Sequence, residues 1–174
     1  MSNTHANRTD LKPRIFPKMI NPRKPPDFYD MDIMARTIWG EARSESAEGR
    51  RAVACVIINR WKSGKWFNGT DANKDGYESI TEVCQQPWQF SCWNKNDPNL
   101  SKMITLKIGD PVFGQCIGIA LKVIEDSFGL RYDGRDPSRG ACHYYVHGSP
   151  RPKWHADQKP CAIIGKHLFF AGIS

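Results

Sequence analysis

Apolar residues follow three patterns along this chain, and each predicts a different element. Ile33, Met34, Ile38 and Trp39 recur at helical spacing, and Asp30 or Asp32 can cap the start, so a helix is predicted to about Gly40. A polar interval around Arg43 to Ser46 reads as a loop. A second helix is predicted from Ala47 to Trp61; Ala52 to Ile58 is apolar without interruption, the pattern of a helix buried nearly all round. Residues 62–79 are rich in Gly, Asn, Asp and Lys and read as loop. A short helix, Ile80 to Gln86, ends before Pro87. A polar loop follows around Asn94 to Ser101. Asp110-Pro111 supplies an N-cap and a proline at the first helical position. The helix it opens places Val112, Phe113, Cys116, Ile117, Ala120, Val123, Ile124 and Phe128 at helical spacing and stops at Gly129. After Gly140, HYYVHGSPRPKW and AIIGKHLFF read as short strands or extended loops. The pattern predicts an α+β, predominantly α-helical domain with a small extended C-terminal part.

The 174 residues suit one domain with a sizeable core. Residues 1–28 form a separate, proline-rich arm, with Pro13, Pro17, Pro22, Pro25 and Pro26 among basic and polar residues, and 29–174 form the folded domain. The net charge of +7 attracts polyanions, but six Lys/Arg against two Asp in residues 1–27 hold +4 of it. The arm therefore suits an anionic envelope, and a nucleic-acid-binding face on the folded part is disfavoured. The N-terminal MSNTHANRTD lacks an apolar core, and no stretch approaches the roughly 20 apolar residues of a membrane span. Synthesis in the cytoplasm without a signal peptide is expected, as a monomer. The six cysteines show no CxxC spacing, and Cys55 and Cys116 fall inside apolar helical runs as small core residues.

Two segments carry candidate chemistry. Glu41 follows a glycine at the break between the first helix and its loop, backed by the apolar second helix. A partly apolar site can hold a glutamate protonated near neutral pH, ready to protonate a sugar's leaving oxygen. Alone, Glu41 reads equally well as a solvated surface residue. In DANKDGYESITE, residues 71–82, Asp71, Asn73, Asp75, the Tyr77 carbonyl, Ser79 and Glu82 fall at ligand positions of an EF-hand calcium loop, with Gly76 at its sharp turn. Glu78 stands where an apolar residue is usual, and no partner hand exists, so a single calcium loop of structural role is expected.

ARTIWGEARSESAEGRRAVACVIINR, ITEVCQQPWQFSCWN and GACHYYVHGSPRPKWHADQKPCAIIGKHLFF, in this order over about residues 31–170, resemble the SleB-like cell wall hydrolases, the family of spore cortex-lytic enzymes and many phage endolysins. The resemblance implies a lysozyme-like fold and cleavage of the peptidoglycan glycan strand by lytic transglycosylation, with no cofactor for catalysis. It implies Glu41 as the catalytic acid, Gln86, Gln89, Phe90, Ser91, Tyr144, Tyr145 and Trp154 as cleft residues, and a structural, hydrogen-bonded His167. Strand alternation lets only one of Tyr144 and Tyr145 face the cleft. Spore members carry a signal peptide and a wall-binding domain, so an endolysin acting after membrane permeabilisation is expected. Glu45 is expected on the loop surface and Glu48 at a helix start. A single strongly marked carboxylate favours transglycosylation over a water-using muramidase, which would need a second. A wall-binding protein without catalysis is the remaining alternative.

Overall fold

A computed structural model describes residues 25–63, 76–129, 134–155 and 157–173. The predicted arm, apart from residues 25–28, and the first three calcium-loop ligands, Asp71, Asn73 and Asp75, lie outside these residues.

Helix α1 spans Phe28–Ala42. Its cap is Asp27, not Asp30 or Asp32: Asp27 Oδ1 accepts from Tyr29 N at 2.9 Å and Asp30 N at 3.0 Å. Asp30 reaches back to Asp27 N at 3.3 Å, closing a reciprocal capping box. Helix α1 therefore takes Asp27 and Phe28 from the predicted arm. The second oxygen of the buried Asp30 accepts from Thr81 N at 2.8 Å and Thr81 Oγ1 at 2.7 Å, which ties α1 to α3, Ile80–Gln85.

Helix α2, Ala47–Ser63, is buried from Ala52 to Ile58 as its unbroken apolar run predicts. It packs against both α1 and α5, Pro111–Ser127, which also pack directly on each other. Asp110 caps α5, accepting from Val112 N and Phe113 N at 3.0 and 2.9 Å. A short helix α4, Leu100–Ile104, begins inside the predicted polar loop and buries Met103. Five residues hold too few turns to show helical periodicity.

The C-terminal part is a three-stranded antiparallel sheet of β1, His143–Val146, β2, Ala162–Ile164, and β3, His167–Phe170, in the order β1-β3-β2. Tyr144 pairs with Phe169 and Tyr145 with Leu168. Tyr144, Ala162, Ile164 and Phe169 pack toward Ala52 and Val56 of α2, while Tyr145, Leu168, Phe170 and Trp154 pack together on the other face. The Asn59-Arg60 pair fastens the segment leading into β1 to α2. Asn59 Nδ2 donates to Asp136 Oδ2 and Ala141 O at 2.9 and 3.0 Å, and Arg60 Nε donates to Cys142 O at 2.7 Å. The fold is thus α+β and predominantly helical. All six cysteines are free thiols, and Cys55 and Cys116 lie in the core.

Candidate active site

Glu41 sits in the last turn of α1. Gly40 lets the Ser91–Trp93 turn approach this helix: a Cβ there would meet Cys92 Cβ at 2.5 Å and Met103 Sδ at 2.9 Å. Gly40 is therefore a packing residue within α1 and not its terminator. The close approach delivers two donors to one carboxylate oxygen. Glu41 Oε1 accepts from Cys92 N at 3.1 Å and Ser91 Oγ at 3.3 Å. Oε2 accepts from Tyr144 Oη at 3.0 Å. Its immediate partners are thus polar, where the sequence predicted a partly apolar site.

The donors differ in what they permit. The Cys92 N–H can only donate, so the oxygen facing it, Oε1, must be an acceptor. The Tyr144 and Ser91 hydroxyls can turn from donor to acceptor, so they can serve both the acid and the carboxylate. Burial, with the Glu41 charge beside it, pushes the Tyr144 phenol well above its ordinary range, so this hydroxyl keeps its proton. Its ring is held edge-on by His167 at 5.2 Å and tilted against Phe169 and Phe90 at 5.7 and 6.5 Å. Behind them Arg60 lies over the Phe90 ring at 4.8 Å and donates to Gln89 O at 3.3 Å, fixing the strand of loop that leads to Ser91.

The predicted cleft residues separate into groups. Ser91 and Tyr144 touch Glu41, and Gln86 and Gln89 are half-buried in the turn before Ser91. Phe90 requires correction: its ring is 1% exposed and supports Tyr144 from the core instead of lining a cleft. Tyr145 and Trp154 also require correction. Strand alternation turns Tyr145 to the far face, where it stacks on Phe170 at 5.6 Å, and Trp154 packs there against His143 at 4.9 Å.

Glu45 is not the surface residue that its polar loop suggested. Its side chain is 7% exposed, Oε2 accepts from Lys166 N at 3.3 Å, and Oε1 lies 4.0 Å from His167 Nδ1. Glycine makes the room: a Cβ at Gly49 or at Gly165 would collide with the Glu45 side chain. The break between α1 and α2 at residues 43–46 removes the helical meaning of the Glu41–Glu45 spacing, so the sequence carried no signal for this burial. His167 is buried, and its Nδ1, expected to be hydrogen-bonded, finds no hydrogen-bond partner among the described residues. Burial lowers its pKa, against the opposing pull of Glu45 and Glu41, so the imidazole is neutral near pH 7.

Of the calcium-loop residues, Tyr77 buries its ring in the core. Glu82 Oε2 accepts from Glu78 N at 2.8 Å, and Ser79 Oγ caps α3 by accepting from Glu82 N at 3.1 Å. No cluster of three or more metal-ligating side chains occurs among the described residues. A cavity of about 130 Å³ between α2 and α5, lined by Arg51, Asn59 and Asp126, does not include Glu41.

Spore cortex-lytic enzymes of Bacillus subtilis and Bacillus cereus are each 26% identical over 140 residues, 80% of this chain. The chain spans only 37% and 43% of those proteins' lengths. Among solved structures, the catalytic domain of the Bacillus cereus SleB protein superposes with a TM-score of 0.55 at 24% identity, covering 83% of this chain and 91% of that domain. The catalytic domain of the germination-specific lytic transglycosylase SleB from Bacillus anthracis gives 0.57 at 25% identity, covering 82% and 94%. The lysozyme-like α+β fold follows from these likenesses. The Cell Wall Hydrolase pattern matches residues 44–170, beginning just past Glu41. With that match over most of its length, the chain belongs to the cell wall hydrolase family.

Proposed function

We propose that this protein cleaves the β-1,4 bond between N-acetylmuramic acid and N-acetylglucosamine in peptidoglycan, with Glu41 as acid and base in a lytic transglycosylation. The observation that carries the reading is the Tyr144 hydroxyl on Glu41 Oε2, beside Cys92 N and Ser91 Oγ on Oε1. Protonated Glu41 donates to the glycosidic oxygen, and the bond from muramic C1 to that oxygen breaks. The carboxylate then takes the proton of the muramic 6-hydroxyl as its oxygen bonds C1, closing a 1,6-anhydro ring. Glu41 ends protonated and no water is consumed. Positioned acid–base chemistry of this kind contributes about 10²–10⁴-fold. Tyr144 and Ser91 can hold hydrogen bonds to both charge states while the proton moves.

A water-using muramidase would need a second carboxylate at the substrate. Glu45 is the acid nearest to Glu41 in sequence, and its side chain is sunk between Gly49, Gly165 and His167, which favours the water-free route. Glu41→Gln should abolish clearing of purified peptidoglycan while the protein keeps its melting temperature; full clearing by a folded variant would remove Glu41 from this role.

The proposal extends to an endolysin-type role, in which the enzyme reaches the wall after another protein has opened the membrane. The net charge of +7 suits anionic wall polymers. It also extends to a calcium ion bound in residues 71–82 as a structural element; the ligand spacing supports it, and a rise in melting temperature with added calcium tests it.

A further inference from the structure

Trp88 is the third residue of the turn Gln86-Pro87-Trp88-Gln89, closed by Gln89 N donating to Gln86 O at 3.1 Å. Its φ is +68°. With proline at the second position and positive φ at the third, this is the geometry of a type II turn, whose third position favours glycine. A tryptophan is poorly suited to it, because its Cβ crowds the backbone in the left-handed region. The indole gains little packing among the described residues in return. It is 79% exposed and enters none of the ring contacts among the described residues. A large apolar side chain held in a strained conformation and left in solvent does nothing for the free fold; strain of this kind concentrates where a ligand is met.

The turn is rigidly placed. On one side Gln86 N donates to Glu82 O at the end of α3. On the other, Arg60 holds Gln89 O, Phe90 is buried, and Ser91 and Cys92 touch Glu41. Trp88 therefore stands three residues from the first group on Glu41, flanked by the half-buried amides of Gln86 and Gln89.

We propose that Trp88 is a glycan-binding platform: its exposed ring stacks on the C–H face of a pyranose of the peptidoglycan strand, while Gln86 and Gln89 hydrogen-bond that sugar's N-acetyl or hydroxyl groups. The negative face of an aromatic ring suits such C–H bonds, and an amphipathic indole suits a half-wet site. This rests on the glycan-cleaving reading above and adds the residue that grips the strand beside Glu41.

The turn geometry supplies an unusual test. Trp88→Gly should relieve backbone strain, so a purely structural role predicts a protein at least as stable with unchanged activity. In Glu41→Gln protein, which binds without cutting, sedimentation with purified peptidoglycan gives the affinity. Added Trp88→Gly is expected to weaken binding roughly tenfold or more while the melting temperature holds or rises, and Trp88→Phe to retain most of the affinity. A soluble N-acetylglucosamine hexamer should shift tryptophan emission in the parent and much less in Trp88→Gly. Equal affinity in the parent and Trp88→Gly would overturn the platform. Wild-type cleavage of the same peptidoglycan is scored separately: cleavage with unaffected Trp88→Gly binding removes only the platform. Trp88-dependent binding without any cleavage removes only the catalytic reading. Absence of binding by the parent overturns the platform, and it overturns the catalytic reading as well only when the wild type also fails to cleave.

Discussion

Tyr144 reaches Glu41 across 103 positions of sequence, its hydroxyl donating to Oε2 at 3.0 Å. The contact joins the sheet to the last turn of α1, so it depends on the whole domain being folded. Tyr144→Phe keeps the ring packed against His167, Phe169 and Phe90 and deletes only the hydroxyl. A hydrogen bond to a charged group contributes about 1.5–3 kcal/mol, so the turnover rate on peptidoglycan should fall about 10- to 100-fold. Rate assays beside thermal melts check this; an unchanged rate would mean that the hydroxyl is a bystander.

Gly40 offers a sharper contrast. Alanine in place of glycine ordinarily favours a helix by about 1 kcal/mol. Here the added methyl would strike Cys92 and Met103 and push the Cys92 N–H off Glu41 Oε1. Gly40→Ala should therefore lower both stability and activity, read from denaturant unfolding and peptidoglycan clearing. A stabilised, fully active variant would contradict the packing role.

Gly165 tests the buried Glu45. With φ +56° and Glu45 Oε2 where a Cβ would stand, Gly165→Ala should cost about 1–3 kcal/mol of unfolding free energy. Shortening the acid by Glu45→Ala removes the collision but not the backbone strain. The double variant should thus lose less than the two single losses summed, a coupling that a double-mutant cycle measures. Strict additivity would show that the two side chains do not meet.

The two sheet histidines set an acid limit. Burial, with Arg60 adding to it, pulls His143 down to about 4, and burial lowers His167. Both pKa values lie below the ordinary 6.5, so the neutral forms belong to the folded state. Their contribution to stability is complete above about pH 6.5 and is lost as pH falls through the folded values toward 4. Denaturant unfolding at several pH values between 7.5 and 4 should show this decline, and His143→Gln should flatten part of it. An equally steep decline in that variant would place the acid sensitivity elsewhere.

Much of this architecture is legible in the chain. The unbroken run Ala52–Ile58 marked a buried α2, Asp110-Pro111 marked the start of α5, and the paired Tyr144 and Tyr145 had to face opposite ways on a strand. What escaped depends on contacts between distant segments. Glu45 looks like a surface acid until Gly49 and Gly165 are brought around it. Phe90 and Trp154 carry the residue types of a sugar cleft, and only packing assigns one to the core and the other to the far face of the sheet. The sequence alone does not fix the start of α1, because Asp27, Asp30 and Asp32 are all capable caps, and the reciprocal bond between the first two selects Asp27.

The most direct test of the central claim is mass spectrometry of the soluble fragments released from purified peptidoglycan by the wild type and by Glu41→Gln. Fragments ending in 1,6-anhydro-muramic acid, from the wild type alone, are predicted. Fragments with reducing muramic acid ends would contradict the water-free mechanism, and equal release by Glu41→Gln would contradict the assignment of Glu41.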